Sequence, residues 1–262
     1  QSPFLRRLVK ASPDETRSLA GSEDPGYQMD FSPVEGLLHK YEMGLLYVTS
    51  TCSAHCRFCY REELISRKMV ERQDGTVATK GLAQIGEVTD YIRAHNKIVE
   101  ANGGRHPESG RERLREALLS GGDPMVLPNG KLAAWFAALA EAGVEAIRLG
   151  TKELAFFPDR FDDTFFSMLD GFHTAYPDVG LRVMVHFNHP DEFLVKDADQ
   201  RYLENPNGSL TWNDSAMRAM EGLTSCGWVS VENQSPIIKG INDDADALRI
   251  MQRAMKRVGA EN

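Results

Sequence analysis

The chain has 262 residues, 42% of them hydrophobic and 26% charged, which excludes global disorder and collagen-like order. A net charge of −8 argues against nucleic-acid binding, which needs a basic surface. No apolar run is long enough to span a membrane, and the opening QSPFLRRLVKASPDETRS lacks the apolar core of a secretory signal, so the cytoplasm is the expected compartment.

Residues 1–43 are polar and turn-rich, punctuated by SEDPG and SPVEG. They read as an N-terminal extension that wraps a core, with FLRRLVKA as a short amphipathic helix. Residues 44–262 read as one domain with a strand-then-helix rhythm. GLLYVTST (44–51) is short, apolar and β-branched, hence a buried strand. Residues 81–101 have helical spacing. REALLSGGD ends a second strand at a glycine pair. KLAAWFAALAEAG is a helix stopped by Gly143. VEAIRLGT (144–151) is a third strand, 161–175 a helix, and LRVMVHFNHP (181–190) a fourth strand. SAMRAMEGLTSCG is a helix, WVSVENQS (228–235) a fifth strand, and DDADALRIMQRAMKRVG a helix whose end charges suit its dipole. Residues 94–113 and 196–212 interrupt the rhythm and read as surface decoration.

Five alternations of this kind imply a parallel sheet. A doubly wound open sheet and a β/α barrel, complete or partial, both fit. In either, ligands collect at the C-terminal ends of the strands. Cys52, Gly121–Asp123, Thr151, His186–Asn188 and Asn233–Gln234 all fall there.

Three of the four cysteines, Cys52, Cys56 and Cys59, form C-x3-C-x2-C directly after the first strand. That is too few for a disulfide scaffold and suits metal or redox use in a reducing compartment. Soft thiolates favour an iron–sulfur cluster or zinc. Electron-transfer clusters ordinarily use four cysteines. Three would leave one iron open for chemistry. A zinc site with His55 or a distant residue as fourth donor is the competing reading. Cys226 stands apart and reads as a buried small hydrophobe.

CSAHCRFCYR resembles the signature of radical S-adenosylmethionine enzymes, and within them the lysine 2,3-aminomutase branch. SPVEGLLHKY, LLSGGDP, RLGTKE, HFNHPDE and NQSPIIKGIND follow the same branch in order, so the resemblance covers about residues 24–262. It implies a partial parallel (β/α) barrel and an intramolecular 2,3-amino shift on an amino acid. It implies a [4Fe-4S] cluster on Cys52, Cys56 and Cys59, with S-adenosylmethionine at the open iron. Phe58 matches the aromatic that covers the adenine. Ser120, Gly121, Gly122 and Asp123 match the motif that meets the methionine amino group. Thr151, His186 and Asn188 match positions lining the same cleft.

The branch also implies pyridoxal 5′-phosphate. Gln234, Lys40 and Tyr41 match its phosphate contacts, and Arg61 matches the clamp on the substrate carboxylate. A flavodoxin- or ferredoxin-type electron donor and a homo-oligomer are implied with it. The sequence departs from the branch at Met43, where an arginine is usual. A glycine-rich lysine segment and a sixth strand are also expected beyond Asn262, so the sequence reads as a fragment whose last strand or strands are missing.

Overall fold

The computed structural model describes residues 3–9, 27–59, 69–71, 77–79 and 81–261. Helix α1 spans Pro3–Val9. Strands β1 (Leu37–Leu38) and β2 (Met43–Thr49) come next, followed by the small antiparallel pair β3 (Met69–Glu71) and β4 (Val77–Thr79). Then α2 (Ile85–Ala101), β5 (Glu116–Gly121), α3 (Asn129–Glu141) and β6 (Ala146–Thr151) alternate. The short α4 (Glu153–Phe156) precedes α5 (Asp163–Ala175), β7 (Gly180–Val185), α6 (Asp214–Ser225), β8 (Val229–Asn233) and α7 (Ala245–Arg257).

The main sheet has the order β1-β2-β5-β6-β7-β8. Every neighbouring pair is parallel except β1 with β2. The sheet is open, as a partial barrel requires. After α7 the chain returns to its edge. Glu261 bridges Glu232 in parallel, with its amide donating to Val231 O at 2.8 Å.

Period-two alternation sorts the strand residues between two faces. Leu46, Val48, Leu119, Ile147, Leu149, Val183 and Val185 enter the main core under the helices. Helices α2, α3, α5, α6 and α7 seal that face through Ile92, Phe136, Phe165, Met220 and Met255. Leu45, Tyr47 and Leu118 point the other way, toward Phe31 on the inner face. That double burial is why β2 reads as an unbroken apolar run. Asp162, Asn213 and Asp244 cap α5, α6 and α7 by accepting from Phe165, Ala216 and Ala247 amides, which fixes where each helix starts.

The expected strands and long helices are all present, mostly within two residues of the expected bounds. Residues 94–113 divide between the end of α2 and a loop. Residues 196–212 fold back on themselves through the bridges Lys196–Tyr202 and Glu204–Leu210. Cys226 is half-buried rather than buried, its thiol donating to Gly222 O at 3.2 Å.

Candidate active site at the cysteine rim

Because β2 and β5–β8 are parallel, their C-terminal ends share one rim. The loop carrying Cys52, Cys56 and Cys59 leaves β2 there. It is laced to the end of β5 by backbone bonds: Gly122 N donates to Thr49 O at 2.7 Å and Asp123 N to Thr51 O at 2.9 Å. The glycine pair is required by this lacing. Gly121 has φ of 101°, and a methyl group on it would strike Thr49 O; one on Gly122 would strike Thr51 O. The glycines therefore bring the cysteine loop down onto β5.

Cys52, Cys56, Cys59 and Phe58 are half-buried, and a turn joins Cys59 N to Cys56 O at 3.1 Å. Burial pushes the Cys52 thiol up to about 11, reinforced by the charges of Asp123 and Cys59. Burial pushes Cys56 up to about 12, with the Lys152 ammonium opposing it. Isolated thiolates are disfavoured here, so a cationic iron–sulfur core fits as the compensating group, and three soft donors on one turn suit it. Among the described residues no group of three or more His, Cys, Asp or Glu is arranged to hold a metal ion. A cubane spreads its thiolates over separate irons and does not demand such a cluster.

Asp123 is buried beside this loop, and its carboxylate is already engaged. It accepts from Met125 N at 3.0 Å, from Thr151 Oγ1 at 2.9 Å and from Lys152 N at 2.7 Å. Burial still raises it to about 6, against the pull of those donors. Asp123 and Thr151 thus tie β5 to β6.

Lys152 lies in the next layer. Its Nζ donates to His186 O at 2.7 Å, Asn188 Oδ1 at 2.8 Å and Glu192 Oε1 at 2.5 Å. The other oxygen of Glu192 accepts from the amides of Asn188 and His189. Asn188 Nδ2 donates to Ser235 Oγ at 3.0 Å, reaching the β8 loop. Asn188 is fully buried in this network, whereas His186 is half-buried and contributes its carbonyl. Gln234 is exposed on the rim, with its amide donating to Val185 O at 2.8 Å.

The structure thus gathers Cys52, Cys56, Cys59, Phe58, Ser120–Asp123, Thr151, His186 and Asn188 on one rim, with Gln234 beside them just after β8. Lys40 and Tyr41 stand apart. They occupy the β1–β2 turn at the opposite end of β2, a strand length of roughly 20 Å from the rim. Lys40 Nζ lies 5.0 Å from the Phe31 ring centroid. Arg61 lies outside the described residues.

Sequence reasoning missed Lys152, Glu153 and Glu192. Glu153 is buried with Oε1 unpaired, and Glu192 closes a capping box with His189. The signal was charge at strand ends, in TKE and in HPDE. Helix α1 also reaches this rim. Leu8 O accepts from Arg57 N at 2.8 Å, Arg7 Nη1 donates to Gly240 O at 2.9 Å, and Phe4 stacks on His189 at 4.3 Å.

No protein-family model matches the chain. Among curated proteins it is 33% identical over 260 residues to a provisionally named L-lysine 2,3-aminomutase of Aquifex aeolicus, covering 97% of this chain and 57% of that protein. It is 29% identical over 243 residues to an L-lysine 2,3-aminomutase of Acetoanaerobium sticklandii, covering 92% and 47%. It is 28% identical over 237 residues to a glutamate 2,3-aminomutase of Clostridioides difficile, covering 90% and 44%. The chain spans about half the length of the curated relatives it matches. With its three-cysteine rim on an open parallel sheet, the chain is similar along 90–97% of its length to lysine and glutamate 2,3-aminomutases.

Proposed function

We propose that the chain carries the radical-generating site of an amino-acid 2,3-aminomutase that uses S-adenosylmethionine. The observation that carries this reading is the cysteine loop, laced by backbone bonds to the Ser120–Asp123 turn at the rim of an open parallel sheet. Cys52, Cys56 and Cys59 would hold a [4Fe-4S] cluster. Bound there, the cluster supplies the one electron that cleaves the sulfonium carbon–sulfur bond of S-adenosylmethionine. The residues of the chain place and shield this chemistry. The Ser120–Gly122 carbonyls accept from the methionine ammonium, and Phe58 covers the adenine. Asp123 and Thr151 fix the turn, and the Lys152–Glu192 pair braces the floor. Arg61 would clamp the substrate carboxylate through a forked pair of N–H donors.

Pyridoxal 5′-phosphate, implied by the family, would carry the migrating amino group, with Gln234 as a rim contact. The separation of Lys40 and Tyr41 from the rim, together with Met43, supports a second reading: the same radical chemistry without pyridoxal. The substrate is a free amino acid; relatives named for lysine and for glutamate make these the first two to assay. A flavodoxin- or ferredoxin-type protein would deliver the electron, and a homo-oligomer is part of the same proposal.

The test is anaerobic reconstitution with iron and sulfide. A cubane electron paramagnetic resonance signal that changes on adding S-adenosylmethionine, is lost in Cys56→Ala and accompanies 5′-deoxyadenosine release is expected. Stoichiometric zinc without iron or sulfide would overturn the proposal. A borohydride-reducible pyridoxal adduct separates the two readings.

A further inference from the structure

The inner face of the sheet, away from the helices, carries a charge imbalance that the rim chemistry does not use. Arg148 on β6, Arg182 on β7 and Ser230 on β8 are paired in register, Arg148 with Arg182 and Arg182 with Ser230. Adjacent strands lie about 4.8 Å apart, so the three side chains form one row across the face. The carboxylate facing this row is Glu116 on β5. Its Oε2 is taken by Arg148, with Nε at 2.7 Å and Nη2 at 2.6 Å. Arg182 comes no closer than 3.8 Å to Oε1, beyond hydrogen-bond reach.

Among the described residues, the Arg182 guanidinium makes no hydrogen bond and pairs with no other acid. Its side chain is 42% exposed, against 24% for Arg148. Glu232 stands one layer nearer the rim, opposite Met184. Two guanidiniums therefore share one carboxylate, and Arg182, whose guanidinium carries five N–H donors, sits in register beside Ser230, which brings a hydroxyl. A planar fork beside a hydroxyl donor is the arrangement that takes a two-oxygen or three-oxygen anion.

We infer that Arg182, with Ser230 beside it and Arg148 behind it, forms an anion-binding site on the inner face, taking the phosphate monoester or carboxylate of a bound small molecule. A phosphorylated cofactor and an acidic amino-acid side chain are the two sources of that chemistry. Arg182 is the distinguishing residue, because Arg148 is already committed to Glu116. The site is argued from β5–β8 alone and stands independently of the cysteines.

Calorimetric titration with inorganic phosphate and, separately, glutarate tests it on the protein without added iron. Wild type should bind at least one of the two anions. Arg182→Gln should weaken that binding at least about tenfold, while Arg93→Gln on the outer face of α2 leaves it unchanged. Arg182→Lys, which keeps the charge but loses the fork, should fall between them, and its unfolding midpoint controls for folding. Preference for phosphate assigns a phosphorylated ligand; preference for glutarate assigns an acidic side chain. Binding of neither anion, or equal binding by Arg182→Gln, would overturn the inference. Anion binding that survives in protein unable to make 5′-deoxyadenosine would sink the radical proposal and leave this site standing. The opposite result would do the reverse.

Discussion

Lys152 shows what a single buried charge does at this rim. Only 7% of its side chain is exposed, and 2% of that of Glu192. Desolvating both ions costs several kcal/mol each, offset here because the ammonium has three acceptors and the carboxylate also takes two backbone amides. Lys152→Met should therefore lower stability by about 3–5 kcal/mol in urea unfolding, since it strands a buried carboxylate. Lys152→Met with Glu192→Leu should recover most of that loss. If the single and double variants unfold alike, the pair is not the brace described. The cysteines were legible because C-x3-C-x2-C is local. Lys152 was not, because its partner lies 40 residues away and only folding brings it near.

Helix α1 makes the same point for an element. Seven residues are too few for a helix to persist alone in water, so tertiary contacts hold it. Leu8 is 1% exposed, and the contacts of α1 reach the cysteine loop, His189 and Gly240. Removing residues 1–9 should raise hydrogen exchange at the Arg57 amide by about tenfold or more while amides in β6 and β7 stay protected. Unchanged exchange at Arg57 would show that the loop does not depend on α1. The strand–helix alternation of β5 to α7 was legible because periodicity and end charges are written into each segment. The two-residue β1 was not, because it exists through its pairing with Leu45 and Leu46.

Across the whole molecule, pH should act through buried histidines, led by His39 far from the rim. His39 is fully buried, its Nδ1 2.7 Å from Tyr91 Oη, with Nε2 unpaired and the His95 ring 4.7 Å away. Burial, then the charges of His95, Arg111 and His106, lower it to about 3. The unfolded chain takes this proton near 6.5, so between about 6.5 and 3 the unfolded state holds more protons. Stability is thus complete above pH 6.5 and falls as pH drops through that window, by at most about 5 kcal/mol from His39. His95 and His189, also lowered by burial, act in the same direction. His39→Gln should flatten the difference between urea midpoints near pH 7.5 and pH 5; an unchanged difference would assign it elsewhere.

The sequence by itself determined the alternation of strands and helices, the rim on which polar residues would gather, and the thiol trio with its resemblance. Each is encoded in residues a few positions apart, where periodicity, turn chemistry and ligand spacing act. Tertiary structure decided what was not local. It turned the glycine pair toward the backbone of the cysteine loop, committed Asp123 to Thr151 and Lys152, and left Arg182 with a half-share of one carboxylate. Charge pairing and close backbone approach depend on which strands become neighbours, and strand order is a property of the folded chain.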